Sequence, residues 1–182
     1  MSKHALIIID IQNDYFPGGK WTLAGADAAA DNAAKALAAA RERGDFVVHV
    51  RHEFESADAP FFTPGSEGAQ IHSKVAARDG EAVVLKHKVN AFLDTPLLGL
   101  LEEQRITDLT VVGSMSHVCI DAATRAAADL GYSVSVLHDA CATLNVEFNG
   151  VNVPAAQVHA AYMAALAFGY AKVISTEEWL AA

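Results

Sequence analysis

The sequence predicts an α/β protein, a three-layer α/β/α sandwich built around a mainly parallel sheet of six strands. Three observations predict it. Short apolar runs alternate with helical stretches along the 182 residues, the signature of repeated βαβ units. The run Leu6-Ile7-Ile8-Ile9 is unbroken and aliphatic, as a strand covered on both faces requires. The helical stretches are rich in alanine, whose small side chain lets a helix pack closely on a sheet.

Taken in order, Ala5 to Ile9 is the first strand and ends at Asp10. Asn13 to Gly25, with Pro17-Gly18-Gly19, is irregular, and Ala26 to Arg43 is a helix closed by Gly44. Phe46 to Val50 is the second strand. Glu53 to Asp79 follows, broken by Pro60, Pro64-Gly65 and Gly68; a loop that long in a compact domain reads as a lid or binding loop. Ala82 to Leu85 is the third strand, ending at Lys86, and Pro96 to Glu103 the second helix. Leu109 to Val112 leads through a short turn to a helix at Cys119 to Leu130, closed by Gly131. Val134 to Leu137 is the fifth strand. Asn145 to Val153 is a small loop turning at Asn149-Gly150, Pro154 to Phe168 a helix closed by Gly169, and Ala171 to Ile174 the sixth strand. One domain spanning 1–182 is the expectation for this length, and 52 % apolar residues suffice for one sizeable core.

A formal charge of −9 argues against nucleic acid or an anionic membrane as partner, since both need clustered Lys and Arg. A small-molecule ligand is expected instead. The alanine-rich run Ala24 to Ala40 is interrupted by Asp27, Asp31 and Lys35, and no basic-then-apolar leader precedes it. Two cysteines without regular spacing make neither a disulfide framework nor a zinc pattern, so a reducing cytoplasm is the expected setting.

In parallel sheets, ligands bind beyond the carboxyl ends of the strands, which singles out Asp10, His52, Lys86 and the turn before Cys119. Cys119 opens a helix, where free N–H groups and the helix dipole favour an anion. A lowered thiol pKa and an oxyanion-binding position are therefore expected there. Cys141 has no such setting. Asp10 is either a catalytic acid or a cap on the turn at Gln12-Asn13-Asp14, and Lys86 competes with Lys88 for an active role. An acid, a lysine and a cysteine converging from strand ends would form a working set for nucleophilic catalysis.

Three blocks make the comparison specific: Ile7 to Phe16 (IIIDIQNDYF), Lys86 to Phe92 (KHKVNAF) and Gly113 to Arg125 (GSMSHVCIDAATR). In this order they resemble the isochorismatase-like cysteine hydrolase superfamily, which includes nicotinamidase and N-carbamoylsarcosine amidohydrolase. The resemblance implies that family's Rossmann-like fold and a triad of Asp10, Lys86 and the nucleophile Cys119. It favours Lys86 over Lys88. It further implies a cis peptide between Ser114 and Met115 and an oxyanion hole made by the N–H groups of Met115 and Cys119.

True isochorismatases commonly lack the cysteine and cleave a vinyl ether, so Cys119 points to C–N hydrolysis of a small amide or ureide. The alternatives are a vinyl-ether hydrolase and an inactive binding or assembly member of the fold. Nicotinamidases carry an Asp-x-His metal pair where this chain has His52-Glu53-Phe54, so neither metal nor cofactor is expected. Scattered histidines, His49, His52 and His72, leave a metal open in principle. Phe16, Trp21, His52, Phe92 and His117 are the candidates for the substrate pocket, with Phe61 and Phe62 also available in the long loop. Relatives donate segments like 145–153 across subunit interfaces, which implies a homo-oligomer, a dimer or tetramer.

Overall fold

The computed structural model describes residues 3–182. Six strands form one sheet: β1 (His4–Ile9), β2 (Phe46–His52), β3 (Ala82–Lys86), β4 (Asp108–Ser114), β5 (Ser133–Ala142) and β8 (Lys172–Ile174). A separate hairpin pairs β6 (Val146–Phe148) with β7 (Val151–Val153). The helices are α1 (Ala26–Arg43), α2 (Leu97–Glu103), α3 (Cys119–Asp129), α4 (Ala155–Gly169) and α5 (Thr176–Leu180).

The strand order is β3-β2-β1-β4-β5-β8, and every neighbouring pair is parallel. The chain leaves β1 toward β2 on one side and later returns to β4 on the other. The switch in winding direction therefore lies between β1 and β4, and it opens a crevice at their carboxyl ends. Asp10 follows β1 directly, and the turn to Cys119 follows β4.

Alternation along β1 explains the three layers. Leu6 and Ile8 face a core shared with α1 and Trp179 of α5, while Ala5, Ile7 and Ile9 face the core beneath α2, α3 and α4. Helix α1 buries a stripe of Ala26, Ala29, Ala30, Ala33, Ala36, Leu37 and Ala40, the spacing of one helical face. Short α2 is held by Leu97 and Leu101, one turn apart and fully buried; truncating either to Ala costs about 2–5 kcal/mol.

Gly113, at φ 129°, lets β4 approach β1 at the crevice. A Cβ there would collide with the Ile9 carbonyl oxygen, so glycine is required where the ends of β1 and β4 meet.

The structure revises several boundaries. β5 runs to Ala142, five residues past the aliphatic run, and shifts register between Val111 and Gly113 so that Ser114 pairs with Ala142. The loop at 145–153 is a hairpin, with Asn149 (φ 51°) and Gly150 (φ 79°) supplying the left-handed turn its strands need. Gly44 closes α1 in the left-handed conformation and Gly131 turns just after α3, but Gly169 is itself the last helical residue, with Tyr170 as the cap. Helix α5 was not anticipated. Ser175 and Glu178 form its capping box, a signal present in the sequence as Ser-x-x-Glu.

Candidate active site

Asp10, Lys86 and Cys119 meet at the crevice. Asp10 turns the chain at φ 52°, with its N–H donating to the Val50 carbonyl at 2.9 Å, so its carboxylate swings across the strand ends. Lys86 is the last residue of β3, in register with His52 on β2, and its side chain is fully buried. Its Nζ lies 2.8 Å from Asp10 Oδ2, 2.8 Å from His52 Nδ1, 3.1 Å from the Lys88 carbonyl and 3.3 Å from Cys119 Sγ. The Lys88 side chain points elsewhere, half-exposed and 3.9 Å from Glu55. Asp10 does not cap the 12–14 turn: no hydrogen-bond donor of that turn reaches its oxygens.

Burial raises the pKa of Asp10 above the ordinary carboxylate value, although the Lys86 charge pulls the other way. Burial alone would lower Lys86, but the Asp10 carboxylate and Cys119 outweigh it, and the ammonium is retained. Burial, reinforced by the Asp10 charge, pushes the Cys119 thiol far above its usual range. The expected lowering is therefore corrected. A helix terminus favours a thiolate locally, but Cys119 sits in the core with a carboxylate beside it, and desolvation prevails. The resting group is a thiol beside a carboxylate more basic than usual.

The turn from β4 to α3 holds free backbone donors. The peptide between Ser114 and Met115 is cis. The Met115 carbonyl accepts from Val118 and Ile120 at 3.0 and 3.2 Å, capping the start of α3. Among the described residues the N–H groups of Met115 and Cys119 have no acceptor. Ser116 anchors the turn: its N–H donates to the Ala142 carbonyl at 3.0 Å, and its Oγ lies 2.7 Å from His159 Nδ1.

Of the five pocket candidates, His52 touches the triad directly, through Lys86. Trp21 stacks on Phe61 at 4.7 Å, Phe61 meets Phe54 edge-on at 5.2 Å, and Phe54 meets His52 at 4.7 Å. An aromatic wall thus runs from the surface to His52 and, through it, to Lys86. Phe16 stacks on His72 at 3.7 Å and lines a separate groove of about 850 Å³ between the two irregular stretches. Phe92 packs against the core beneath α2, and His117 Nδ1 lies 2.7 Å from Thr143 Oγ1. His49 pairs with Glu81 at 2.9 Å and His72 accepts from the Lys74 N–H, so the three histidines weighed as ligands do not converge. Two buried residues escaped notice in the sequence. Gln12 hydrogen-bonds both the N–H and the carbonyl of His52, and Asp14 accepts from the N–H groups of Phe62 and Lys20, clasping the two loops.

The family model described as Isochorismatase domain matches residues 4–178. The chain belongs to the isochorismatase family. Its relatives include the uncharacterized isochorismatase family protein YddQ of Bacillus subtilis, 48 % identical over 97 % of this chain and 98 % of that protein. The secreted isochorismatase effector Isc1 of Verticillium dahliae is 34 % identical over 95 % and 88 % of the two chains. A crystal structure from Oleispira antarctica, assigned only as an isochorismatase hydrolase, superposes with a TM-score of 0.96 at 58 % identity, covering 100 % of this chain and 97 % of that one. More distant relatives are named as hydrolases, two of them of amides. Streptothricin hydrolase of Streptomyces noursei is 33 % identical over 78 % of this chain but half of its own length. Escherichia coli nicotinamidase is 26 % identical over 81 % and 86 %, and ureidoacrylate amidohydrolase RutB of Cronobacter sakazakii 29 % identical over 76 % and 74 %. The protein is an isochorismatase-family hydrolase of three-layer α/β fold. Among the described residues no helix is long and apolar enough to cross a membrane.

Proposed function

We propose that this hydrolase cleaves the C–N bond of a small amide or ureide through a Cys119 thioester. The observation that carries the proposal is the Lys86 ammonium, 2.8 Å from Asp10 and 3.3 Å from Cys119. A vinyl-ether hydrolase needs no sulfur in that place.

In the proposed cycle Cys119 Sγ attacks the substrate carbonyl carbon while Asp10 takes the thiol proton. The raised pKa of Asp10 suits it to this, and the concerted transfer spares the site a free thiolate. The carbonyl oxygen gains the negative charge and is held by the N–H groups of Met115 and Cys119. Asp10 returns the proton to the departing nitrogen, the C–N bond breaks, and ammonia or an amine leaves a thioester on Cys119. Asp10 then takes a proton from water as its oxygen attacks the thioester carbon. Expulsion of the sulfur, reprotonated by Asp10, releases the acid. Lys86 keeps Asp10 ionised in the resting state.

The names of nicotinamidase and ureidoacrylate amidohydrolase among the relatives support the C–N reading. A metal-independent reaction is part of the proposal. His52 Nδ1 is engaged by Lys86, and the Glu53 carboxylate is engaged by Arg51 at 2.6 Å. The test is ammonia release from a panel of small amides and ureides after chelation, comparing wild type with Cys119→Ala. Loss of release in the mutant supports the proposal; turnover of a vinyl ether undiminished by Cys119→Ala overturns it in favour of isochorismatase-type chemistry.

Self-association with a second copy of the chain completes the proposal. Like-charged copies repel over most of a surface with net charge −9, but residues 154–171 contain no Lys, Arg, Asp or Glu. Phe168 on that stretch is 95 % exposed. Sedimentation of wild type as a dimer or tetramer, and of Phe168→Asp as a smaller species, is the expected result.

A further inference from the structure

The triad accounts for two of the four groups around Lys86 Nζ. An ammonium has three N–H donors, and here Asp10, His52, the Lys88 carbonyl and Cys119 all lie within reach. His52 can join this arrangement only as an acceptor at Nδ1. A neutral imidazole accepting at Nδ1 carries its proton on Nε2. That Nε2 is buried, and among the described residues no protein atom hydrogen-bonds to it. The ring is not free to turn away. Gln12 holds the His52 backbone at both ends, accepting from its N–H at 2.7 Å and donating to its carbonyl at 2.8 Å, and Phe54 meets the ring edge-on. The same Gln12 amide nitrogen donates to the Ala69 carbonyl at 2.8 Å, tying the long loop to this position.

We propose that His52 is a positioning residue for Lys86 and, through its Nε2–H, a hydrogen-bond donor to the substrate. By accepting one ammonium proton, Nδ1 fixes the rotation of the other two, so that Lys86 bridges Asp10 and the sulfur side of the site. The Nε2–H then meets an acceptor oxygen or nitrogen on the part of the substrate beside the scissile carbonyl. A buried donor without a protein partner is costly unless a ligand uses it. Burial first, then the Lys86 ammonium and His87, hold the ring neutral and outweigh the Lys88 backbone, which pulls the other way; aromatic rings of Phe54 and Phe62 face it elsewhere.

The catalytic half of this inference rests on the amidohydrolase reading; the tautomer does not, and the experiment separates them. Long-range 15N–1H correlation on wild-type protein reads the tautomer without any substrate. A neutral Nε2–H ring from pH 5 to 9 is expected; an Nδ1–H ring, or an imidazolium appearing within that range, overturns the proposal whatever reaction the enzyme performs. On an amide found to be hydrolysed, His52→Phe should lower kcat about 100-fold through lost orientation and raise KM about 10-fold through the lost donor. His52→Asn, whose amide oxygen takes the place of Nδ1, should recover most of kcat and leave KM raised. Equal kinetics for Phe, Asn and wild type, with folding verified by circular dichroism, would also overturn it.

Discussion

The Asp10 carboxylate and the Lys86 ammonium form an ion pair of 2.8 Å with 1 % and 0 % of their side chains exposed. Such a pair is costly to desolvate, and breaking it strands a charge in the core. Lys86→Met should therefore lower unfolding stability by about 3–5 kcal/mol. The double variant Asp10→Leu with Lys86→Met should regain most of that loss while remaining inactive. Urea unfolding checks both. A double variant as unstable as the single one would mean that the pair is not the source of the loss.

Cys119 should alkylate slowly. Burial first, and then Asp10, raise its thiol far above the ordinary range, so little thiolate exists near neutrality. Removing the carboxylate while keeping the ammonium reverses the second influence and leaves Lys86 favouring the thiolate. Asp10→Asn should then react with iodoacetamide at pH 7.5 at least about 10-fold faster than wild type, with the label mapped to Cys119. Cys141, buried and pushed up to about 12, should stay unlabelled in both proteins. A slower reaction in Asp10→Asn would contradict the electrostatics assigned to the site.

The positions of Asp10, Lys86 and Cys119 were legible because each follows a secondary-structure boundary marked by its own neighbours. A parallel sheet brings strand ends to one edge whatever the loops do. The sign of the Cys119 shift was not legible. It depends on desolvation and on a carboxylate 109 positions away in sequence, whereas the helix-end argument is purely local. The bond between Gln12 and His52 escaped for a similar reason, since it joins the turn after β1 to the end of β2 and no spacing signals it. Helix α5 was readable from Ser175 and Glu178, but its five residues carry too little periodicity to stand out.

Acid should weaken the far end of the molecule through Glu81. Its carboxylate accepts from Arg41 at 2.7 and 2.8 Å, from the Arg78 N–H at 2.9 Å, and lies 2.9 Å from His49 Nε2. Hydrogen bonding from Arg41 is the main cause that brings its pKa down to about 2 from 4.5. A carboxylate depressed in the folded state stabilises the fold above its unfolded pKa, and that contribution is lost as pH falls from about 4.5 toward 2. Comparing wild type with Glu81→Gln isolates it. The stability gap should be about 2–3 kcal/mol at pH 6 and close to zero by pH 2. A gap that does not shrink in acid would show that the contribution of Glu81 is steric.

Asp14 should control the shape of the entrance without touching the chemistry. Its carboxylate accepts from the Phe62 N–H at 2.7 Å and from the Lys20 N–H at 3.1 Å, so a single buried side chain joins the stretch after β1 to the long loop after β2. Gly68 packs so closely on that carboxylate that any Cβ would collide with it. Phe62 and its neighbour Phe61 belong to the aromatic wall that reaches Trp21 and His52, which places the clasp behind the wall. Asp14→Ala leaves the buried Phe62 N–H without an acceptor, at a cost of about 1–3 kcal/mol, and frees the part-buried Lys20 N–H, so the loops should separate before the sheet unfolds. Hydrogen exchange should therefore accelerate at 17–23 and 60–70 while the amides of β1 and β4 keep their protection. On a hydrolysed amide, KM should rise at least about 10-fold with kcat within about threefold, because the triad stands on strand ends that the clasp does not support. Gly68→Ala, which displaces the same carboxylate from the other side, should reproduce the pattern. A fall in kcat with KM unchanged in both variants would instead place the clasp in support of Asp10.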